Sequence, residues 1–304
     1  MKPTGFSRLS IRRQEEITGY LFIIPFLIGF FLFQGLPFII SFIISFTDLQ
    51  FVTNIGSLKF IGFKNFITFL HDNTAVESLG RSLLYTVLFV PAIMMSSLIL
   101  ALILNKRIMA RNAIRTMIFL PYVSNIVAIA IVWQLLLDPR DGPVNLLLQS
   151  MGMIHLPMWL VGGTHIVIPT IVLIACWQGM GFNLVTYLAA LQGVPKELYE
   201  ASEIDGANSL QKFIRVTLPM ISPTTFFLTI TSLIASTQNY SIVQVLTKGG
   251  PGEASRVFPL NIVEEAFTHS RLGYASAQSL VIFTILILAT LIQWKMQKRW
   301  VNYD

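Results

Sequence analysis

Residues 82–105 read SLLYTVLFVPAIMMSSLILALILN and contain no Asp, Glu, Lys or Arg. About 20 apolar residues in a helix cross the hydrocarbon core of a bilayer, so this stretch predicts a membrane-spanning helix. Other intervals of the 304-residue chain lack charge over a comparable length. The six predicted spans are residues 20–46, 82–104, 116–137, 166–191, 217–237 and 273–294. The sequence therefore predicts an all-α, polytopic membrane protein with six transmembrane helices.

The composition supports this class. Charged residues make up 12% of the chain and hydrophobic residues 54%, whereas soluble domains carry about 25% charged residues. So few charges cannot cover a water-exposed surface of this size. The formal net charge of +6 does not indicate nucleic-acid binding, because no segment combines a clustered basic face with stacking aromatic residues.

The basic residues predict the orientation of the spans, because Lys and Arg are retained on the cytoplasmic side. With the amino terminus inside, fourteen of the 21 Lys and Arg residues fall on the cytoplasmic side and seven on the other. The loop from Lys106 to Arg115 alone holds four basic residues and no acid. We therefore expect residues 1–19 and 295–304 in the cytoplasm. The first apolar run is too long for a signal peptide and has no small-x-small cleavage site after it, which favours an uncleaved span.

The sequence contains none of the common motifs of enzyme chemistry. The four histidines are scattered, and neither HExxH, GxxxxGK[ST], GxGxxG nor GxSxG occurs. The single cysteine, Cys176, excludes a disulfide or a multi-cysteine metal site within one chain. We therefore expect a chain that is not an enzyme and has no metal or ATP site of its own.

The predicted spans also lack ionisable residues at mid-depth. Ion-coupled carriers place such groups in the interior of the bundle, so we expect the energy for transport to come from outside this chain. A single uncharged polar residue in a span is typical of an interhelical hydrogen bond, but Gln178 with Asn183, and the run from Ser236 to Gln244, form clusters that suit a polyhydroxylated solute. Breaks in the helices are predicted at Pro25, Gly35 and Pro37 in the first span, Pro121 in the third, and Gly179 with Gly181 in the fourth. At Pro25 and Pro37 a bend that only improves packing is an equal alternative.

The polar segment between the fourth and fifth predicted spans has an unusual pattern. Residues 192–208 read QGVPKELYEASEIDGAN, in which Pro195 predicts the first position of a short helix and Asp205-Gly206 predicts its end in a left-handed turn. A second amphipathic stretch follows at residues 210–214. Two short helices of this kind form a protrusion that another protein can bind. A helix lying on lipid is disfavoured, because its acidic side chains would face an anionic leaflet.

This segment resembles the signature of the permease subunits of bacterial ATP-binding-cassette importers, in particular the carbohydrate group. That signature is EAA, three residues, Gly, nine residues and I-x-L-P. The chain has Glu200-Ala201-Ser202, then Gly206, then Val216-Thr217-Leu218-Pro219 at the same spacings, and it departs only at Ser202 and Val216. Other segments similar to the sugar permeases are Phe119-Leu120-Pro121, Asp138-Pro139, Gly142-Pro143-Val144-Asn145, residues 247–251 and residues 273–277.

The resemblance implies a type I importer permease fold, with the core permease domain in residues 81–294. It implies that residues 192–215 form a coupling loop that docks in a cleft of a dimer of cytoplasmic ATPases, which bind ATP and magnesium, so that no cofactor is expected in this chain. It further implies a second homologous permease chain, an extracellular or periplasmic solute-binding protein, and a location in the bacterial inner membrane. The residues that carry coupling by position are Glu200, Ala201, Ser202, Asp205 and Gly206.

Similarity to the maltose-type permeases also implies a path for sugar on the fourth and fifth spans. A di- or oligosaccharide is the expected substrate, moved by alternating access; the particular sugar, and which of the two permeases holds it, stay open. The alternative is the same architecture for glycerol-phosphate-like or other small polar solutes, which would favour a basic residue facing the path. A secondary carrier or a scaffold is disfavoured, since neither an inverted repeat nor an intramembrane acid is visible. The path residues are Gln178, Gly179, Phe182, Asn183, Ser232, Ser236 and Asn239.

Overall fold

The computed structural model describes residues 11–50, 58–106, 109–298 and 300–301. Helices dominate this part of the chain, and a single antiparallel bridge joins Thr47 to Phe60. The α-helices are α1 Ile11–Phe30, α2 Leu36–Ile44, α3 Lys64–His71, α4 Asn73–Asn105, α5 Arg111–Val123, α6 Ile126–Leu136, α7 Pro143–Ser150, α8 Thr164–Gly193, α9 Lys196–Ile204, α10 Ser209–Lys212, α11 Leu218–Met220, α12 Ser222–Ser236, α13 Tyr240–Leu246, α14 Phe258–Val263 and α15 Leu272–Gln297.

Four helical segments of the described chain are long and apolar enough to cross a membrane: Glu15–Ile44, α4, α8 and α15. Two further candidate spans are bent. α5 and α6 meet at 101°, and the segment Ser209–Met220 meets α12 at 68°. The predicted all-α membrane class is confirmed, and the number of spans reaches the predicted six when each bent pair counts as one span.

The first span is continuous but changes its pitch. A π-helical turn at Phe31–Gly35 joins α1 to α2, directly before Pro37, which has no N–H to donate to the preceding turn. Pro25 lies inside α1 without interrupting it. Three breaks were predicted in this span. The structure has no break at Pro25, and near Gly35 and Pro37 the helix is locally wider but not interrupted.

The third span breaks later than predicted. Pro121 lies inside α5, and the chain turns at Ser124 and Asn125. The Asn125 Oδ1 accepts hydrogen bonds from the backbone N–H groups of Val127 at 2.8 Å and Ala128 at 3.4 Å. Because a side-chain cap of this kind starts a new helix, the predicted break at Pro121 is wrong and Asn125 sets the bend.

The predicted break in the fourth span is also wrong, because α8 runs without interruption past both glycines. A Cβ atom at Gly181 would lie 2.9 Å from the Cα of Phe119 and 3.0 Å from the carbonyl oxygen of Ile118. Gly181 therefore allows α5 to approach α8 backbone to backbone. At Gly179 the nearest atom to such a Cβ is the Cδ1 of Ile93, at 3.2 Å.

The chain divides into two compact units. One comprises residues 1–68 and 265–280. Within its described part, Asn65 forms hydrogen bonds to the residues that follow α2. The Asn65 Nδ2 donates to the carbonyl oxygens of Ser45 at 2.8 Å and Thr47 at 2.9 Å, and the N–H of Gly273 donates to the carbonyl oxygen of Leu49 at 2.9 Å. The Asn65 bonds hold α3, and the Gly273 bond holds the start of α15, against the loop after α2.

The other unit comprises residues 69–264 and 281–304, and its core lies between α4 and α8. Buried side chains along these two helices include Phe89, Ile168, Leu184 and Tyr187. A polar bond crosses this unit where the N–H of Phe258 donates to the Ser82 Oγ at 2.7 Å. This core positions the cavity described below.

The loop between α6 and α7 is closely hydrogen-bonded, both within itself and to Asn145 in the first turn of α7. Asn145 is 1% exposed; its Nδ2 donates to the Pro139 carbonyl at 3.2 Å, and its Oδ1 accepts from the Trp159 Nε1 at 2.8 Å. The backbone N–H groups of Asp141 and Arg140 donate to the Asp138 Oδ1 and hold the pKa of this carboxyl below its ordinary value. The segments of this loop that resemble the sugar permeases thus serve to shape a turn.

Candidate functional site

A cavity of about 440 Å³ opens in the larger unit, between α4, α8 and the break that separates α12 from α13. Polar groups enter it from α8 and from that break, and aromatic rings enter it from α4 and α5. No Asp, Glu, Lys or Arg is among the described residues that line it. Its lining is Tyr85, Phe89, Ile93, Tyr122, Ile126, Ala175, Gln178, Gly179, Phe182, Asn183, Thr231, Ser232, Ala235, Gln238, Asn239, Ser241 and Ile242.

Asn239 is the most informative polar group of the cavity. Asn239 is only 5% exposed. Neither its Nδ2 nor its Oδ1 has a hydrogen-bond partner among the described residues. It precedes the first residue of α13 and makes no capping bond. Buried amides are nearly always hydrogen-bonded, so the two atoms of Asn239 lack the partners that such a group normally has, at the wall of this cavity.

The other polar groups of the lining are held by neighbours. The Asn183 Nδ2 donates to the Ser232 Oγ at 3.2 Å and thereby joins α8 to α12. The Gln178 Nε2 makes a long bond, 3.5 Å, to the carbonyl oxygen of Pro121. The side-chain oxygens of Asn183 and Gln178 therefore accept further hydrogen bonds without breaking these contacts.

Aromatic rings form the apolar part of the cavity. The rings of Tyr122 and Phe182 stack with centroids 5.7 Å apart and planes 25° apart, and those of Tyr85 and Phe89 stack at 5.5 Å and 13°. Flat apolar faces beside a few placed amides are typical of sites for small organic ligands.

The structure brings together all but one of the residues predicted to form the sugar path. Ser236 does not line the cavity; its Oγ lies 2.9 Å from the Thr86 Oγ1 and donates to the Leu233 carbonyl at 2.6 Å. Its role is to join α12 to α4. The predicted residues that do line the cavity are Gln178, Gly179, Phe182, Asn183, Ser232 and Asn239.

Sequence reasoning missed the contribution of the second span. Tyr85, Phe89 and Ile93 enter the cavity from one face of α4, and their spacing of four residues is the only signal of a shared face. That spacing is equally typical of a packed core face, and Tyr85 and Phe89 do belong to the core. Gln238 also lines the cavity and was part of the predicted polar cluster.

The predicted coupling loop, residues 192–215, folds as two short helices. α9 begins at Lys196, so Pro195 precedes the helix instead of occupying its first position as predicted. α10 begins with a capping box in which Asn208 and Gln211 bond reciprocally, at 2.8 and 2.9 Å. The start of α10 is therefore fixed by a side-chain cap.

The turn between α9 and α10 depends on Gly206, whose φ is +73°. The left-handed turn predicted at this residue is confirmed. The N–H of Ala207 donates to the Ser202 carbonyl at 2.9 Å and closes the end of α9. Because no atom lies within 4 Å of a Cβ built on Gly206, the backbone conformation is what requires glycine.

Three side-chain contacts hold the loop together. The Lys212 Nζ and the Glu203 Oε1 form an ion pair at 2.6 Å between α10 and α9, and the Tyr199 hydroxyl lies 3.0 Å from the Thr217 Oγ1. The Ser202 Oγ donates to the carbonyl oxygen of Tyr199 at 2.7 Å. The loop is thus a defined surface that can be bound as a unit.

The predicted coupling residues lie on the outside of this surface. Glu200, Ala201, Asp205 and Gly206 are exposed, whereas Ser202 is half-buried. Beside them the side chains of Ile204 and Leu210 are 87% and 65% exposed. Exposed apolar groups next to acidic ones are typical of a protein docking surface.

A bundle of apolar spans with a polar, uncharged cavity defines a membrane transport subunit. The chain belongs to the family described as the binding-protein-dependent transport system inner membrane component, which residues 93–300 match. The resemblance stated above is confirmed: this is the permease component of an ABC transporter, and it lies in the inner membrane.

Named relatives support the same assignment. The chain is 32% identical over 95% of its length to the lactose transport system permease protein LacF of Rhizobium radiobacter, and covers 96% of that protein. It is 29% identical over 81% of its length to the sn-glycerol-3-phosphate transport system permease protein UgpA of Agrobacterium fabrum, and covers 84% of it.

A solved structure shares the fold. A chain of a bacterial alginate ABC transporter, crystallised with an alginate pentasaccharide-bound periplasmic protein, has 24% sequence identity and a TM-score of 0.82. The match covers 96% of this chain and 98% of the other. The predicted type I importer permease fold is therefore confirmed.

Proposed function

We propose that this permease moves a neutral di- or oligosaccharide across the membrane through the cavity beside Asn239. The observation that carries the proposal is a buried amide with two unpartnered atoms at the wall of a cavity that has no charged lining. Sugar hydroxyls both donate and accept hydrogen bonds, as the Asn239 Nδ2 and Oδ1 require. The stacked rings beside it offer apolar faces to the carbon skeleton of the sugar.

The absence of charge favours a neutral sugar over the anions carried by some relatives. An sn-glycerol-3-phosphate group carries negative charge that is costly to bring into a cavity without charged partners. Recognition of such a group would favour Arg or Lys at the site, and the described lining has neither. Similarity to the lactose permease points in the same direction as the lining.

The energy for this movement enters through the coupling loop. In the proposed assembly, the exposed Glu200 and Ile204 of α9, with Asp205 directly after this helix, dock in a cleft of a cytoplasmic ATPase dimer, which binds ATP and magnesium. A second homologous permease chain completes the pore, and a solute-binding protein delivers the sugar on the opposite side. Both termini of this chain then lie in the cytoplasm. Alternating access follows when closure of the ATPase dimer is transmitted through this rigid loop to the spans.

Substitution of Asn239 tests the proposal. Asn239→Ala removes both free hydrogen-bonding atoms, so we expect uptake by the assembled transporter in proteoliposomes to lose about fivefold in kcat/KM for each bond that the sugar makes. The neighbouring Thr237→Ala is the matched control, because the Thr237 Oγ1 donates to the Ile234 carbonyl at 2.8 Å and does not line the cavity. Equal uptake by Asn239→Ala and wild type would exclude Asn239 from the path.

A further inference from the structure

A second cavity, of about 370 Å³, lies in the smaller unit where two apolar spans end. α2 ends at Ile44 and α15 begins at Leu272, and the lining residues Thr47 and Arg271 lie immediately beyond these ends. Both helices belong to segments long and apolar enough to cross a membrane. A cavity just beyond the apolar stretch of such helices lies at the depth of the lipid headgroups.

Backbone hydrogen bonds fix the wall of this cavity against the end of the first span. The N–H of Asp48 donates to the carbonyl oxygen of Lys59 at 3.1 Å, and the N–H of Ile61 donates to that of Phe46 at 2.8 Å. The N–H of Lys59 in turn donates to the Asp48 Oδ1 at 2.8 Å. Lys59 lines the cavity from this segment, and Lys64, the first residue of α3, lines it a few residues further along the chain.

The charges that line the cavity are three cations, Lys59, Lys64 and Arg271, and one carboxylate, Asp48. The Arg271 Nε donates to the Glu265 Oε2 at 2.6 Å, so this cation is already paired. Among the described residues, no carboxylate lies within ion-pair distance of the Lys59 or the Lys64 ammonium. With Arg271 paired to Glu265, the cavity has two further cations, Lys59 and Lys64, and one lining carboxylate, Asp48. The excess of positive charge suits an anionic ligand.

The surroundings of the cavity are apolar. Phe60 and Phe63 are 79% and 69% exposed, and both rings contact that of Phe46, with centroids 6.4 and 5.4 Å away. The most apolar window of the span Glu15–Ile44 has no buried residue. A ligand with an anionic headgroup and an apolar body can bind the cationic cavity and also pack on the apolar surface beside it. A soluble anion or an acidic protein loop would leave the aromatic rings in water.

We propose that this cavity binds the phosphate of an anionic phospholipid of the phosphatidylglycerol type, and that Lys59 and Lys64 hold the headgroup. The acyl chains then lie along the exposed apolar surface of α1 and α2. Attraction of this kind, between juxtamembrane cations and anionic lipid, falls off within a Debye length and is strongest for charges at the headgroup plane. The proposed site does not depend on the identity of the sugar.

Native mass spectrometry of the purified transporter tests the site. The full chain in its complex is titrated with phosphatidylglycerol or with phosphatidylcholine, which shares the phosphate but has no net charge. We expect wild type to retain phosphatidylglycerol preferentially, and the double variant Lys59→Gln/Lys64→Gln to bind it about 30-fold more weakly, since each cation near the headgroup contributes about fivefold. Lys59→Arg/Lys64→Arg keeps both charges and should retain the lipid.

Arg140→Gln is the matched control, because Arg140 is an exposed cation on the same predicted side that lies outside this cavity. It should leave phosphatidylglycerol retention unchanged, and an equal loss in this variant would overturn the site. The proposal also fails if inorganic phosphate alone displaces the lipid at equal concentration. It fails equally if the lysine double variant keeps its lipid and instead loses association with the solute-binding protein.

Discussion

Gly181 determines how closely two spans approach one another. The Cα of Phe119 and the carbonyl oxygen of Ile118 occupy the space in which any other residue would place its Cβ. Backbone atoms on α5 cannot rotate away as a flexible side chain would, so a methyl group here forces the two helices apart. The shape of the cavity wall contributed by Tyr122 and Phe182 depends on this contact.

We expect Gly181→Ala to destabilise the protein by about 1–3 kcal/mol, because the added methyl group overlaps the backbone of α5. The measurement is the thermal unfolding midpoint of the purified chain in detergent. Gly80→Ala in α4 is the matched control: no atom lies within 4 Å of a Cβ built there, so it should be neutral or slightly stabilising. Equal midpoints for the two variants would contradict the close approach of α5 to α8.

Residue chemistry was more predictable from the sequence than helix geometry. The uncharged amides Gln178, Asn183 and Asn239 could be recognised as a lining because water-seeking groups in apolar spans need partners. Whether a given polar side chain lacks a hydrogen-bond partner depends on the tertiary structure. The sequence therefore could not distinguish Asn239, which has no such partner, from Ser236, whose hydroxyl is hydrogen-bonded to that of Thr86.

At the scale of the helices, a side-chain cap determines where the third span bends, whereas several Gly and Pro residues lie inside continuous helices. Asn125 starts α6 by bonding two backbone N–H groups, while Pro121 and Gly181 remain inside continuous helices. Membrane helices tolerate Pro and Gly where neighbouring helices compensate. Those neighbours are unknown at the sequence level, which is why the positions of the breaks were predicted incorrectly.

The proposed coupling loop is the element on which a single backbone conformation matters most. We expect Gly206→Val to leave the chain in the membrane but to abolish ATP-driven uptake, because a β-branched residue at φ +73° is strained and shifts α9 relative to α10. Pull-down of the ATPase by the tagged permease, together with uptake, measures the effect.

Gly206→Asn is the control for that experiment, since Asn adopts the left-handed conformation at small cost. It should retain ATPase binding and most of the uptake. ATP-driven uptake at the wild-type rate in Gly206→Val would show that the turn is not part of the coupling surface.

At the scale of the whole molecule, the distribution of charge predicts the orientation of the chain. In a Cys176→Ala background, a cysteine at Ser209 should react with a membrane-impermeant maleimide only after the cells are opened. A cysteine at Ser150 should react in intact spheroplasts. Both positions are exposed, so accessibility depends on the side of the membrane alone. The reverse labelling pattern would contradict the placement of both termini in the cytoplasm.

In the proposed function, this chain carries a neutral sugar and takes its energy from a partner ATPase. The direct measurement is uptake into proteoliposomes that contain the assembled transporter and its binding protein, with a panel of labelled neutral di- and oligosaccharides and with sn-glycerol-3-phosphate. We predict that uptake of one neutral sugar depends on ATP and saturates, while the phosphate ester is not taken up. Uptake of the anion alone, or uptake of sugar at the same rate without ATP, would contradict the account.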